Sequence, residues 1–328
     1  MTTPNTNEFL AIDCATEVER ISSSIRSYLT ENRRRGIVVG LSGGIDSTVT
    51  AALAVRALGA PRVFGLHMPE RHSDDATLDL SRSVSRWLGI ADAYEDISGI
   101  LESAGCYRRY DEAARQVVPD FGPGWKSKVA IHGAAGDKAF SYFTLVAQPP
   151  VGDPVTVRLP LHAYLEIVAA TNFKQRTRKM LEYYHADRLN YAVAGTPNRL
   201  EYDQGFFVKN GDGAADLKPI AHLYKTQVYR LAEFLDVPAG IRQRPPTTDT
   251  YSLPQGQDEF YFALPYPQMD LCLFGKNNGI TADVIAGAAG LDRATVTRVW
   301  ADIDRKRSTT RYLHAKPALV AEVPEVSA

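Results

Sequence analysis

A short segment of the chain combines the residue types that bind phosphate groups. Ser42–Ser47 reads SGGIDS and follows the apolar, β-rich run 36–41. Glycines let the backbone approach an anion closely, and the free N–H groups at the start of a helix favour negative charge. Asp46 would repel phosphate unless a cation such as Mg²⁺ lay between them. The segment lacks the lysine of a Walker A loop. It therefore predicts a different kind of phosphate site, with a plain glycine turn as the alternative.

Acidic and basic side chains recur further along the chain. Glu201 closes a segment that starts at the end of a predicted strand, where open α/β sheets bind ligands. Asp212 and Asp216 lie in a glycine-rich turn, with Lys209 and Lys225 near them in sequence. Two such carboxylates could bind ammonium and accept its protons, and the lysines could offset negative charge on phosphates. The alternatives are a solvated helix charge at Glu201 and a surface turn with solvated lysines.

The order and spacing of these segments resemble those of a known family. SGGIDS resembles the SGGxDS loop of the N-type ATP pyrophosphatases, which split ATP between its α and β phosphates and adenylate a substrate oxygen. Later motifs resemble those of the ammonia-dependent NAD synthetases within that superfamily. They are NFKQRTR at 172–178, GTPNRLE at 195–201, GFFVKNGDGAAD at 205–216, KTQ at 225–227 and PPTTD at 245–249. The chain departs from the family pattern at Asn210 and Ala214.

The resemblance implies an ATP-dependent amide ligase. Such an enzyme adenylates the carboxylate of deamido-NAD and transfers it to ammonia, which gives NAD, AMP and pyrophosphate. Mg²⁺ would be bound by Asp46 and Glu201. Residues implied to contact ATP or pyrophosphate are Ser42, Gly43, Gly44, Asp46, Ser47, Thr196 and Thr247. Residues implied to be catalytic are Asp212, Asp216, Lys225 and Lys209. Arg176 and Arg178 would bind the phosphates of the dinucleotide, although a dimer interface explains them equally well.

The elements that must position these residues alternate between strands and helices. Strands are predicted at 36–41, 63–68, 93–97 and 191–195. Helices are predicted at 16–32, 48–58, 74–88, 174–185 and, near the C-terminus, 281–307. This alternation predicts a doubly wound α/β fold with a parallel sheet. The resemblance implies the adenine nucleotide alpha hydrolase-like type of that fold, with a helical C-terminal part, as a single ligase domain over 1–328.

Two regions interrupt the alternation. Residues 105–165 contain β-rich runs at 142–147 and 155–159 around a turn, which predicts an inserted lobe with a β-hairpin. That lobe could cover the acceptor pocket, extend a dimer contact, or be a surface decoration, because loop insertions cost little free energy. Residues 245–268 show little periodicity, which is typical of an active-site lid.

Composition excludes several classes of protein. The net charge is -1, and no basic patch with interleaved aromatic residues predicts nucleic-acid binding. No apolar run reaches the roughly 18 residues that a membrane span needs, and the N-terminus does not resemble a signal peptide. The 3 cysteines are far apart and form no CxxC pair, so a zinc site or a disulfide framework is not expected. We expect a cytoplasmic protein without a membrane or nucleic-acid partner.

Three points stay open at the level of sequence. The acceptor could be a different carboxylate in a dedicated biosynthetic pathway. A non-catalytic nucleotide-binding module is a further alternative, although the loop glycines and both metal carboxylates are retained. The glutaminase domain of longer family members has no counterpart here, so the expected nitrogen donor is free ammonia or a separate glutaminase partner. The resemblance also implies a homodimer.

Overall fold

The computed structural model describes residues 9–73, 75–132, 142–244, 250–256, 261–262 and 264–326. The strands are β1 (Ile37–Gly40), β2 (Val63–His67), β3 (Ala91–Tyr94), β4 (Lys126–His132), β5 (Tyr142–Gln148), β6 (Val155–Arg158) and β7 (Ala192–Ala194). The helices of the first half are α1 (Cys14–Glu31), α2 (Ile45–Leu58), α3 (Asp75–Leu88), α4 (Ser98–Ser103), α5 (Cys106–Arg115) and α6 (Leu161–Leu189). The remaining helices are α7 (Arg199–Gln204), α8 (Lys225–Phe234), α9 (Ala239–Arg242), α10 (Tyr266–Asn277), α11 (Ala282–Ala289) and α12 (Arg293–His314).

A parallel four-stranded sheet in the order β3-β2-β1-β7 forms the centre of the molecule. In β1, Ile37 and Val39 contribute to one apolar cluster and Val38 to another, as the alternation of side chains along a strand requires. The first cluster also contains residues of α1, α2 and α8, whereas the second contains residues of α5 and α6. The sheet is therefore covered by helices on both faces, and the predicted doubly wound α/β fold is confirmed.

The C-terminal helices form a third apolar cluster. Residues of α10, α11 and α12 pack there against Leu200 and Tyr224, which flank the site described below. This cluster confirms the predicted helical C-terminal part. Among the described residues, no helix is both long enough and apolar enough to cross a bilayer.

The predicted hairpin is a three-stranded antiparallel sheet in the order β4-β5-β6. Sequence inspection missed β4, in which Lys128 pairs with Val146 of β5. The predicted lobe began at residue 105, but α5 packs on α6 and contributes Cys106 and Tyr107 to the apolar cluster on the main sheet. We use the term inserted sheet for β4, β5 and β6.

Several predicted boundaries were wrong. The helix predicted at 174–185 begins at Leu161, and α2 begins at Ile45 instead of at 48. The third strand is Ala91–Tyr94, where 93–97 was predicted. Part of the predicted lid is helical, because α10 begins at Tyr266. Other parts of that lid, 245–249, 257–260 and 263, lie outside the described residues.

Candidate active site

The strand order places a ligand site beside the carboxyl end of β1. From β1 the chain continues to β2 and β3 on one side, while β7 lies on the other side of β1. The loops after β1 and after β7 consequently diverge. Crevices of this kind are where open α/β sheets bind ligands. The predicted phosphate loop follows β1, and the segment that leads to Glu201 follows β7.

The loop 42–44 leaves the start of α2 free for an anion. Gly43 has φ +72°, and a Cβ at this position would lie 3.0 Å from both Thr77 O and Ser81 N, so glycine is required there. Ser47 Oγ donates to Gly44 O at 3.1 Å and accepts from Ser42 N at 3.3 Å, which holds the loop closed on itself. Gly44 is the N-cap of α2, and no side chain caps this helix. The N–H groups of its first turn are thus available to bind phosphate oxygens.

Asn198 connects the two predicted metal carboxylates. Its Nδ2 donates to Asp46 Oδ1 at 3.3 Å, and its backbone N donates to Glu201 Oε2 at 3.1 Å. Its Oδ1 accepts from the amides of Leu200 and Glu201, which completes a capping box at the start of α7. Asn198 is fully buried. One N-cap therefore sets the positions of two carboxylates from opposite sides of the crevice.

Lys225 reaches the same carboxylates from α8. Its buried side chain forms an ion pair with Asp46. The start of α8 is held by Asp270 of α10, which accepts from Lys225 N at 3.2 Å and from Thr226 N at 2.7 Å. Burial raises the pKa of Asp270 to about 6, against the opposing effect of the two amides. Asp270 thus orients Lys225 without contacting the crevice carboxylates itself.

The charges in the crevice are strongly coupled. Burial, and then the neighbouring charge of Asp46, raise the pKa of Glu201 to about 8. Burial alone would lower the pKa of Lys225, but the charges of Asp46 and Glu201 outweigh it and raise that pKa. Two neighbouring carboxylates with a buried cation beside them are suited to bind a metal ion.

Asp212 belongs to the same group of charges. Its Oδ1 accepts from Val208 N at 2.7 Å, which closes the turn 208–212. Burial raises its pKa, while the amide of Val208 and the charge of Lys179 act against this rise. Its negative charge also contributes to the raised pKa of Glu201, so that the two carboxylates lie within electrostatic range of each other.

Asp216 is held elsewhere. Its Oδ2 accepts from Val193 N at 2.7 Å and its Oδ1 accepts from the hydroxyl of Tyr183 at 3.1 Å. Leu217 next to it forms a parallel bridge with Ala194. Asp216 therefore closes the open edge of β7. Its catalytic role stays a prediction.

Lys209 and the two arginines each donate to backbone carbonyl groups. Lys209 Nζ donates to Tyr312 O at 2.8 Å and to Ala315 O at 3.2 Å, and so caps the C-terminus of α12. Arg176 Nε donates to Lys209 O at 3.3 Å. Arg178 Nε donates to Met68 O at 3.2 Å, in the loop that follows β2.

The two remaining predicted residues are threonines. Thr196 lies half-buried directly after β7, between the strand and the Asn198 cap. Thr247 lies outside the described residues. Sequence inspection missed Asn198 and Asp270. Asn198 carried a usable signal, because an asparagine followed three residues later by glutamate is a capping-box pattern. Asp270 carried none, because its partners lie 44 and 45 residues away.

A family model described as NAD synthase matches residues 17–119 and 158–311 of the chain. The chain belongs to the NAD synthase family. The break between the two matched segments contains β4 and β5 and all but the last residue of β6. The inserted sheet thus lies almost entirely in the part of the chain that the family model leaves unmatched.

Curated relatives are similar over nearly the whole chain. The NH3-dependent NAD(+) synthetase of Rhizobium meliloti is 60% identical over 317 residues, which are 97% of this chain and 95% of that protein. The enzyme of the same name from Mesorhizobium japonicum is 58% identical over 96% of this chain and 99% of that protein. The enzyme of that name from Thermotoga maritima is 36% identical over 78% of this chain and 85% of that protein.

Solved structures of the family share the fold. The NH3-dependent NAD synthetase of Campylobacter jejuni superposes with a TM-score of 0.63 at 21% identity, over 95% of this chain and 100% of that chain. The NMN synthetase of Francisella tularensis superposes with a TM-score of 0.60 at 21% identity, over the same shares. At this identity the likeness concerns the fold.

Proposed function

We propose that this member of the NAD synthase family is an ammonia-dependent NAD synthetase. It uses ATP to adenylate the carboxylate of deamido-NAD and transfers the acyl group to ammonia. The observation that carries the proposal is the uncapped start of α2 beside Asp46 and Glu201, with Asn198 between the carboxylates. The relatives that bear this name are matched over 95% and 99% of their own length, which supports the same activity here.

We further propose that Asp46 and Glu201 bind Mg²⁺ together with phosphate oxygens of ATP. The described residues contain no group of three or more His, Cys, Asp or Glu side chains placed to hold a metal ion. Two carboxylates suit Mg²⁺, which usually keeps several waters and is bound through one or two carboxylates and substrate phosphates. The raised pKa of Glu201 fits the same role, because a cation would relieve the repulsion from Asp46. When bound, Mg²⁺ supplies positive charge to phosphate oxygens.

The first step is attack of the acceptor carboxylate on the α-phosphorus of ATP. A bond forms between a carboxylate oxygen and the α-phosphorus, and the bond to the bridging oxygen breaks, so that pyrophosphate leaves. The amides at the start of α2 would hold the departing pyrophosphate, and Lys225 would offset part of its charge. Asn198 keeps both carboxylates in place while this charge moves.

The second step is attack of ammonia on the acyl-adenylate. The nitrogen forms a bond to the carbonyl carbon, and AMP leaves. AMP is a far better leaving group than the oxide ion that a free carboxylate would have to lose. We propose Asp212 as the group that binds ammonium and accepts its proton. Burial raises the pKa of Asp212, and a raised pKa makes its carboxylate a better proton acceptor.

We propose that the protein acts as a homodimer and that α6 carries the interface. Four large apolar side chains of this helix are more than half exposed, at Leu161, Leu165, Met180 and Tyr184. They follow one another in pairs at i, i+4 spacing, which places the members of each pair on one face of the helix. Exposed apolar pairs on a long helix are typical of a protein contact.

The test is turnover of the purified protein with ATP, Mg²⁺ and deamido-NAD. Ammonium chloride should support formation of one NAD and one pyrophosphate per cycle, whereas glutamine alone should not. Turnover with glutamine alone would contradict the proposed donor. Pyrophosphate release with another carboxylate, without NAD formation from deamido-NAD, would contradict the proposed acceptor and favour a dedicated pathway. ATP binding with no acid turned over would contradict the enzyme itself.

A further inference from the structure

The inserted sheet binds the segment 250–256 along the outer edge of β4, which is the edge opposite β5. The amide of Leu253 donates to Ser127 O at 3.1 Å, and Ser127 N donates to Ser252 Oγ at 2.8 Å. Two residues on, Gln255 Nε2 donates to Val129 O at 2.7 Å. The segment 250–256 thus lies along the outer edge of β4, held by one backbone bond and by bonds from two of its side chains.

Apolar contacts join the same two parts. Tyr251 is buried in one cluster with Val129 and Leu145 of the inserted sheet and Ile167 of α6. Its ring centroid lies 6.5 Å from that of Tyr110 on α5. The segment therefore contributes a large side chain to the core of the inserted sheet, and its position depends on that core.

A buried ion pair holds the first residue of the segment. Lys174 Nζ on α6 donates to Thr250 O at 3.0 Å and to Glu70 Oε1 at 2.8 Å. Tyr107 donates to the other oxygen, Glu70 Oε2, at 2.8 Å. Both charged residues are buried, and the charge of Lys174 lowers the pKa of Glu70 although burial alone would raise it. The pair joins α6 and the loop after β2 to the segment.

Arg244, six residues before Thr250, lies beside the phosphate loop. Arg244 Nη2 donates to the hydroxyl of Thr77 at 2.6 Å. The carbonyl of Thr77 is one of the atoms that leave no room for a Cβ on Gly43. The residues on the two sides of 245–249 are thus tied to different places, one at the phosphate loop and the other at Lys174.

From these contacts we infer that the inserted sheet is a positioning element for the ATP site. It binds segment 250–256 at the edge of β4, and together with Lys174 it limits how far Thr250 can move from Arg244, six residues earlier, which donates to Thr77. This role differs from those considered from sequence, namely a cover for the acceptor pocket, a dimer contact or a decoration. The inference deepens the proposed function and rests on it for its kinetic readout.

The decisive variant removes side-chain bonds between the segment and β4 while leaving the sheet intact. Ser252→Ala with Gln255→Ala removes the acceptor for Ser127 N and the donor to Val129 O. The matched control is Gln148→Ala. Gln148 lies in the same sheet but donates to Gly152 O at 2.9 Å, within the turn between β5 and β6. Deleting the whole sheet would expose Tyr251 and its apolar partners, so point variants are the cleaner choice.

Two measurements test the inference without requiring turnover. Hydrogen exchange of a peptide that covers 250–256 should accelerate at least about tenfold in the double variant and not in the control, because each lost bond frees the segment to open. Calorimetry with a non-hydrolysable ATP analogue should show a dissociation constant raised at least about fivefold. In steady-state kinetics the KM for ATP should rise similarly, with kcat and the acceptor KM within about twofold.

Each contrary outcome overturns the inference. Unchanged exchange would show that the sheet does not hold the segment. Faster exchange with unchanged analogue affinity would show that the segment does not serve the ATP site. A rise in the acceptor KM alone, or loss of the dimer in sedimentation, would assign the sheet to the acceptor pocket or to the interface. Analogue binding is measurable even if deamido-NAD is not the acceptor, so failure of the proposed function is recognised separately.

Discussion

The side-chain amide of Asn198 donates to Asp46 Oδ1 at 3.3 Å, across the crevice between the loops that follow β7 and β1. Its backbone amide binds Glu201 at the same time. The geometry of both carboxylates therefore depends on a single residue that binds neither phosphate nor metal in the proposed mechanism. This dependence gives the first prediction.

Asn198→Asp should lose most activity, while Asn198→Ser should lose less. Aspartate keeps the oxygen that caps α7 but replaces the donor to Asp46 by a third negative charge in a buried site. Serine also caps the helix and adds no charge. Adenylation rates, followed by pyrophosphate release, would check the order. Equal rates in the two variants would show that an added negative charge beside Asp46 and Glu201 is unimportant.

Asp46→Asn and Glu201→Gln should each nearly abolish adenylation. Each change removes a charge from the proposed metal site without removing volume, and a lost metal interaction of several kcal/mol slows the step on the order of a thousandfold. Matched controls are Asp283→Asn and Glu19→Gln, whose side chains are 65% and 69% exposed. Near wild-type turnover of either site variant at limiting magnesium would refute the metal assignment.

Asp212→Asn should slow ammonia attack more than adenylation, because the amide cannot accept a proton. Rapid quenching should then reveal an accumulating adenylate and a raised KM for ammonium.

Asp216→Asn serves as the contrast. Asparagine has one acceptor oxygen where aspartate has two, and its NH2 group can only donate. It therefore cannot keep both the Val193 and the Tyr183 bonds, so thermal stability should fall and both steps should slow alike. Accumulation of adenylate in the Asp216 variant instead would restore its predicted catalytic role.

Asp270 should make stability depend on pH below neutrality. Its pKa is raised from 3.8 to about 6 in the folded state, so between these values the folded protein binds more protons than the unfolded chain. Rising pH therefore removes stability through this window. Relative to Asp270→Asn, wild type should lose up to about 3 kcal/mol of unfolding free energy between about pH 4 and pH 6. Denaturant titrations at several pH values, with Asp283→Asn as the control, would check this. A constant difference between wild type and the variant would contradict it.

Local signals in the sequence were sufficient for the phosphate loop and the central sheet. SGGIDS after a β-rich run correctly predicted β1, the loop and α2, because glycine requirements and helix N-termini act over a few residues. The start of α6 was missed because Pro160 is its N-cap and no side chain caps it. Strand β4 was missed because its stability comes from pairing with β5 and with segment 250–256, and neither partner is local.

Among the charged residues too, local sequence signals identified some, while others depend on partners that are distant in sequence. Glu201 was predicted from its place after a strand and from the GTPNRLE motif, whereas Lys209 and Asp216 have partners that are distant in sequence, at Tyr312 and Val193. Their positions within a glycine-rich motif gave no information about these partners. The pairing of Glu70 with Lys174 joins residues 104 positions apart, and no periodicity in the sequence reports it.

The strand order β3-β2-β1-β7 has a consequence for the order of events during synthesis. The phosphate loop, with Asp46, leaves the ribosome long before Asn198, Glu201 and Lys225, which all follow β7. A nascent chain that ends within α6 therefore carries the loop but none of the groups that complete the crevice. Because β7 must first be placed beside β1, the ability to cleave ATP arises only when the second half of the chain has folded onto the first.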